Sequence, residues 1–170
     1  GCSTRTASFS NIKNVPLNEG NVAIIKDDYF HYQGVINKIS YLNKSTGKFE
    51  EIFTAAHREL GHVPQKIKFV LQPGTYNIFY KRKSYKGPWA VGSGQVELKS
   101  GHEYRVNHAS CSLYAIYKRF CRAYADAIWF EDLTTGEVLS GYKWKHLRDK
   151  STSSIHKEDD VSCERIKYEK

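Results

Sequence analysis

The 170-residue chain contains no methionine and only four prolines, and nowhere approaches the roughly 18 consecutive apolar residues of a membrane-spanning helix. Its richest stretches are broken every few residues by Lys, Asn or Ser, so a spanning helix is not expected. The missing methionine suits a processed product better than a complete reading frame. Cys-x-x-Cys and His-Glu-x-x-His are absent, and Gly92-Ser-Gly94 lacks both the following helix and the lysine of a phosphate cradle. His57 and His62 are set about 140° apart on a helix and fall on opposite faces of a strand, so they form no zinc pair. No metal, cofactor or nucleotide is therefore expected. The paired acids Asp27-Asp28, Glu50-Glu51 and Asp159-Asp160 are sequence neighbours that point apart in regular structure, and they read as solvated surface.

What the chain does have is tyrosine, 12 of them, and positive charge, a net +8. Tyrosine favours strands and half-wet surfaces. The charge is uneven: between positions 75 and 125 nine basic residues face two acidic ones, Glu97 and Glu103. The length fits one domain able to bury a core without metal or dense disulfides.

Short β-branched runs at 21–26 (Val22, Ile24, Ile25) and 34–42 (Val35, Ile36, Ile39, Tyr41) predict strands. From Phe49 the spacing changes. Phe49, Ile52, Phe53, Ala56 and Leu60 lie on one helical stripe with Gly61 at the cap, predicting a short helix. Alternation resumes at Ile67, Phe69 and Leu71, stops at Pro73-Gly74, and continues through Tyr76, Ile78 and Tyr80, which reads as a hairpin. A second hairpin is predicted around Ser100-Gly101, with Val96, Leu98, Tyr104 and Val106 facing inward and Glu97, Lys99, Glu103 and Arg105 outward. Runs at 113–117, 127–133 and from Val138 towards Trp144 complete a mostly β chain, expected to be a single antiparallel β-sandwich of about seven or eight strands with one short helix. Residues 1–19 read as a tether, 20–145 as the domain and 146–170 as a charged tail.

Gly1-Cys2-Ser3 looks like the end of a bacterial lipobox, which makes Cys2 the lipid-bearing residue. The runs Leu71-Gln-Pro-Gly74-Thr-Tyr76-Asn-Ile78, Gly94-Gln-Val96-Glu-Leu98-Lys-Ser-Gly101-His-Glu-Tyr104-Arg-Val106 and Ile128-Trp-Phe-Glu-Asp132-Leu-Thr-Thr-Gly136-Glu-Val138 resemble small bacterial envelope lipoproteins of undefined function. Members of that group carry one sandwich of the PEGA-like or transthyretin-like kind. The resemblance covers about residues 20–142 and rests on turn and strand chemistry. It implies an exported protein on the periplasmic face of the outer membrane, and Ser3 is in keeping with that sorting.

In such a compartment Cys111, Cys121 and Cys163 are disulfide candidates. A Cys111 to Cys121 bridge would clamp a basic excursion and contribute about 3 kcal/mol in the loop-entropy account. Ser45-Thr-Gly-Lys48, followed by Lys99-Ser-Gly101, has the spacing of an S-x-x-K serine hydrolase. No Ser-Asp-Asn lies between them, and the second motif is already explained as a turn. The chain is therefore read as a non-enzyme.

Two clusters mix cations with rings. One is Lys81, Arg82, Lys83, Tyr85, Lys86 and Trp89; the other is Lys118, Arg119 and Arg122 with neighbouring Tyr117, Phe120 and Tyr124. That chemistry suits anionic groups beside apolar or ring surfaces, or equally a solvated rim whose charge keeps edge strands from aggregating. The expected function is a membrane-anchored module binding another envelope protein or an anionic envelope surface, with no specific nucleic acid. The rival readings are a small-ligand or polyanion carrier and the S-x-x-K hydrolase.

Overall fold

The computed structural model describes residues 5–12, 18–27, 36–54, 65–83, 89–114, 122–144 and 165–169. Among them are eleven strands: β1 (Arg5–Ser10), β2 (Ala23–Asp27), β3 (Ile36–Asn43), β4 (Lys48–Thr54), β5 (Gln65–Leu71), β6 (Gly74–Lys83), β7 (Trp89–Leu98), β8 (Glu103–Tyr114), β9 (Arg122–Asp132), β10 (Val138–Trp144) and β11 (Arg165–Tyr168). They form a seven-stranded sheet in the order β1-β5-β2-β8-β9-β10-β11 and a four-stranded sheet in the order β4-β3-β6-β7. The protein is mostly β, as its composition implies, with more strands than expected. The larger sheet is mixed rather than antiparallel, because β1 runs parallel to β5 and β2 parallel to β8.

The alternation of side chains is what places the core. Along β7 the even-numbered Ala90, Gly92, Val96 and Leu98 are buried, while Trp89, Val91, Ser93, Gln95 and Glu97 are exposed, the period of two of a strand covered on one face. One hydrophobic cluster draws from both sheets. Ile25, Phe69, Leu71, Tyr104, Ile128 and Phe130 come from the larger sheet, and Ile36, Ile39, Tyr76, Ile78, Tyr80 and Leu98 from the smaller. Each fully buried large side chain of this kind contributes about 1.5–3 kcal/mol. Phe53 of β4 packs edge-on against Phe69 of β5, ring centres 4.8 Å apart, and Phe9 of β1 touches both.

Three sequence expectations are corrected here. The helix predicted from Phe49 is a strand, β4, up to Thr54; residues 55–61 lie outside the described set. A bulge explains the misleading pattern. Ile39 pairs with Phe53 and Ser40 with Glu51, leaving Ile52 as an extra residue, so Ile52 and Phe53 both lean on the core despite being adjacent. The two predicted hairpins are crossovers. β5 and β8 belong to the larger sheet and β6 and β7 to the smaller, so Pro73-Gly74 and Ser100-Gly101 carry the chain from one sheet to the other. The inward parity read for Val96, Leu98, Tyr104 and Val106 holds, since all four are buried. Finally, the segments read as tether and tail each contribute a strand, β1 and β11, at opposite edges of the larger sheet.

Two local devices fix the ends of this arrangement. The Tyr76 hydroxyl donates to the Gln72 carbonyl oxygen at 2.6 Å, as in a tyrosine corner, and accepts from Asn11 Nδ2 at 3.0 Å. Asn11 Oδ1 in turn accepts from the Gln72 N–H, which pins the chain just beyond β1. On the other side, β7 lies against β10 through a missing side chain, since a Cβ on Gly94 would stand 2.5 Å from Ser140 Cβ, while Gly92 leaves room for the ring of Tyr80 on neighbouring β6, which its Cβ would meet at 2.1 Å.

Candidate functional site

Strand polarity decides which residues meet. β1 begins at Arg5 opposite Gln65, the start of β5. By the registers of the larger sheet, β2 ends there at Asp27, β8 at Tyr114 and β10 at Trp144, and β9 starts there at Arg122 and β11 at Arg165. In the smaller sheet β6 ends at Lys83 opposite Trp89, the start of β7. Arg82 Nε lies 3.6 Å from Asp126 Oδ2 on β9, which puts this strand end at the same end of the molecule. Both basic clusters therefore start from one end, the end at which β1 also starts.

Among the described members of the first cluster, Lys81 and Trp89 act as a unit. The Lys81 ammonium sits 5.0 Å from the Trp89 ring centre on the outer face of β6 and β7. A contact of this kind at an exposed site is worth about 0.5–1 kcal/mol. Trp89 remains 44% exposed, Val91 at 45% follows it on the same face of β7, and Phe79 at 36% stands opposite Ser93 further along that face. Arg82 behaves differently. It takes the inward parity, with a side chain 25% exposed against 3% for Asp126, and is committed to an ion pair between the sheets. His108 on β8 feels the same pair: desolvation of its ring, and then the Arg82 guanidinium, hold it below the ordinary histidine range, while Asp126 pulls the other way.

The register also assembles contacts with no local sequence signal. All three tryptophans carry a cation: Lys81 over Trp89, Lys143 over Trp129 at 4.9 Å and Arg165 over Trp144 at 5.4 Å. Trp129 Nε1 donates to Glu131 Oε2 at 2.7 Å, and Asn107 Nδ2 donates to the other oxygen at 3.0 Å, so this ring is clamped on the outer face of the larger sheet. Lys143 and Arg165 were not singled out from sequence, because their roles depend on pairing across β9, β10 and β11.

Of the other expected site residues, Lys83 ends β6, Arg122 starts β9, and Cys111 lies in β8 opposite Ala125. Cys2, Tyr85, Lys86, Lys118, Arg119, Cys121 and Cys163 lie outside the described residues, as do His57 and His62. Ser45 and Lys48 stand at the exposed tip joining β3 to β4. There the Asn43 carbonyl accepts from Gly47 N at 2.8 Å and Asn43 Oδ1 from Ser45 N at 2.9 Å. The Ser45 to Lys48 spacing belongs to a turn, not to the first turn of a helix.

The opposite end is held by an aspartate. Asp132 Oδ2 shares a 2.7 Å hydrogen bond with His102 Nδ1, and Oδ1 accepts from the N–H groups of Thr134 and Thr135. Burial would raise this carboxyl, but those partners outweigh it and hold the group below its usual range. Nearby, a groove of about 270 Å³ between β7 and β10 is lined by Thr75, Gln95, Glu97, Lys99, Glu137, Val96 and Leu139.

Comparison with known proteins finds no matching protein family, no matching curated protein and no matching solved structure.

Proposed function

We propose that the chain is a non-enzymatic lipoprotein of the bacterial envelope, attached through lipid on Cys2 at the periplasmic face of the outer membrane. In this reading the two sheets form a β-sandwich, and the domain is one of the small PEGA-like or transthyretin-like lipoproteins. Its binding surface is the basic aromatic end, offered to another envelope protein or to an anionic envelope surface. The observation that carries the proposal is the coincidence at one end of Arg5, three residues from Cys2, with the strand ends that bear Lys81, Lys83, Trp89 and Arg122. A module held at its N-terminus keeps that end close to whatever holds it.

The test is fractionation of the precursor expressed in a bacterial host. The wild-type chain is expected in the membrane fraction and Cys2→Ser in the soluble fraction, and retention of the variant would overturn the lipid anchor. The groove beside Thr75 and Glu97 supports a second reading, a carrier of a small ligand. That reading predicts a titratable ligand whose binding is lost when Gln95 is replaced by a bulky residue.

A further inference from the structure

We infer that the occupant of the basic aromatic end is the anionic phospholipid headgroup layer of the membrane that holds the anchor, so that this end of the domain faces the bilayer. The inference rests on the anchored reading for the direction the anchor points, and on three observations of its own.

The first is reach. Extended chain spans at most about 3.6 Å per residue, so the three steps from Cys2 to Arg5 cover about 11 Å. Arg5 is already paired in β1, and Asn11 fastens the strand at its far end. No long tether is left: the start of β1 is held within about one to two screening lengths of the surface at physiological salt, and by the registers the β8–β9 end at Tyr114 and Arg122 lies about six residues further along the strand direction.

The second is charge. Lys81, Lys83, Arg122 and Arg165 mark this end of the strands, whereas Arg82 is matched by Asp126. At the opposite end Lys44, Lys48 and Lys99 share the surface with Glu50, Glu97 and Glu137. The stretch 145–164, between β10 and β11 in sequence, carries four basic and five acidic residues.

The third is the nature of the exposed apolar surface. Trp89 under the Lys81 ammonium, with Val91 and then Phe79 further along the same face, pairs an amphipathic ring with a cation, the combination that settles at the boundary between headgroups and acyl chains. Among the described residues of this end, these three side chains form a smaller apolar centre than a protein partner of ordinary affinity would want.

The experiment uses the full chain carrying Cys2→Ser, so that lipid plays no part, and vesicles of zwitterionic lipid with or without anionic phospholipid. Binding is expected only with anionic lipid and is expected to weaken as salt rises. Each cation near the surface changes partitioning by about fivefold, so Lys81→Gln with Lys83→Gln and Arg122→Gln lowers it by about a hundredfold. The same change of charge at the other end, Lys44→Gln with Lys48→Gln and Lys99→Gln, alters it less than about threefold. Melting curves of both triple variants check that they fold. An independent measurement needs no charge variant: in a Trp144→Phe background, which removes the other tryptophan at this end, lipids brominated in the acyl chain quench part of the bound protein's tryptophan emission, and adding Trp89→Phe abolishes that quenching. Equal binding by the two triple variants, salt-independent binding, or quenching that survives Trp89→Phe would each overturn the inference. None of these outcomes bears on whether Cys2 carries lipid, which the fractionation decides separately.

Discussion

The Tyr80 hydroxyl meets Ser140 Oγ at 2.9 Å in the buried interior, joining β6 of the four-stranded sheet to β10 of the seven-stranded sheet. The two residues are sixty positions apart and both are almost fully buried. The Ser140 hydroxyl has no water to turn to when the phenol is removed, whereas the phenol keeps a hydrogen bond to the Phe130 backbone, so Tyr80→Phe should cost about 1–2 kcal/mol and Ser140→Ala less. The double variant should cost less than the sum of the two, because no group is then left unpaired. Chemical denaturation of the four proteins checks this.

The same tyrosine makes stability sensitive to alkali. Burial, opposed by the Ser140 hydrogen bond, pushes the Tyr80 phenol up to about 12. The unfolded chain therefore loses this proton near pH 10, before the folded chain does. Its contribution is whole below pH 10 and falls as the pH rises towards 12. Tyr80→Phe should flatten that part of the alkaline decline, read as melting temperature against pH.

The glycines at the seam should differ sharply in what they tolerate. Gly141 has φ of +96°, and its added Cβ would stand 2.4 Å from the Ile128 carbonyl oxygen, a backbone atom that cannot swing away. Gly141→Ala is expected to cost more than about 3 kcal/mol. Gly136 also has positive φ, +77°, but nothing lies within 4 Å of the added Cβ, so Gly136→Ala should cost only about 1 kcal/mol. Similar losses at both sites would mean that the seam is looser than described.

Asp132→Asn keeps an oxygen for the turn but removes the charge that faces His102. Because the folded carboxyl titrates below its unfolded value of about 4, its stabilisation is complete above that value and is lost as the pH falls through the folded one. The wild type should therefore exceed the variant in melting temperature at pH 7, with the gap narrowing below pH 4. A gap that persisted at pH 2 would assign the effect to shape rather than charge.

Ser45→Ala should leave stability within about 0.5 kcal/mol of the wild type, as expected for an exposed turn. A penicillin-like acylating probe should fail to label Ser45 in the wild type. Labelling would revive the hydrolase reading.

Alternation told inside from outside along β5, β6, β7 and the start of β8, because a half-buried strand writes its burial into every second residue; β2, buried on both faces, showed only as a β-branched run. It could not tell which strand lies beside which. A tight turn such as Ser100-Gly101 looks the same whether the next strand folds back in the same sheet or crosses to the other, and here it crosses. The bulge at Ile52 put two core residues side by side and imitated a helical stripe. β1 and β11 escaped notice because edge strands bury little: the one large apolar side chain of β1 is Phe9, and Ile166 of β11 is exposed. At the candidate site the basic aromatic runs were legible as composition. Their meeting at one end, the inward turn of Arg82 and the cations over Trp129 and Trp144 depend on strand polarity and register, which no local window contains.

The parallel pairing of β1 with β5 also decides how the molecule responds to force. A pull on the N-terminus leaves β1 along its own axis, since the strand starts at the end from which the chain emerges. The six residue pairs from Arg5 and Gln65 to Ser10 and Val70 are then loaded in shear and must slip together, whereas a pull across the strand would open them one at a time. Asn11, bonded to both Tyr76 and Gln72, acts as a stop at the far end of that slide. Under the anchored reading proposed above, tension on the N-terminus would be carried by these six pairs in shear.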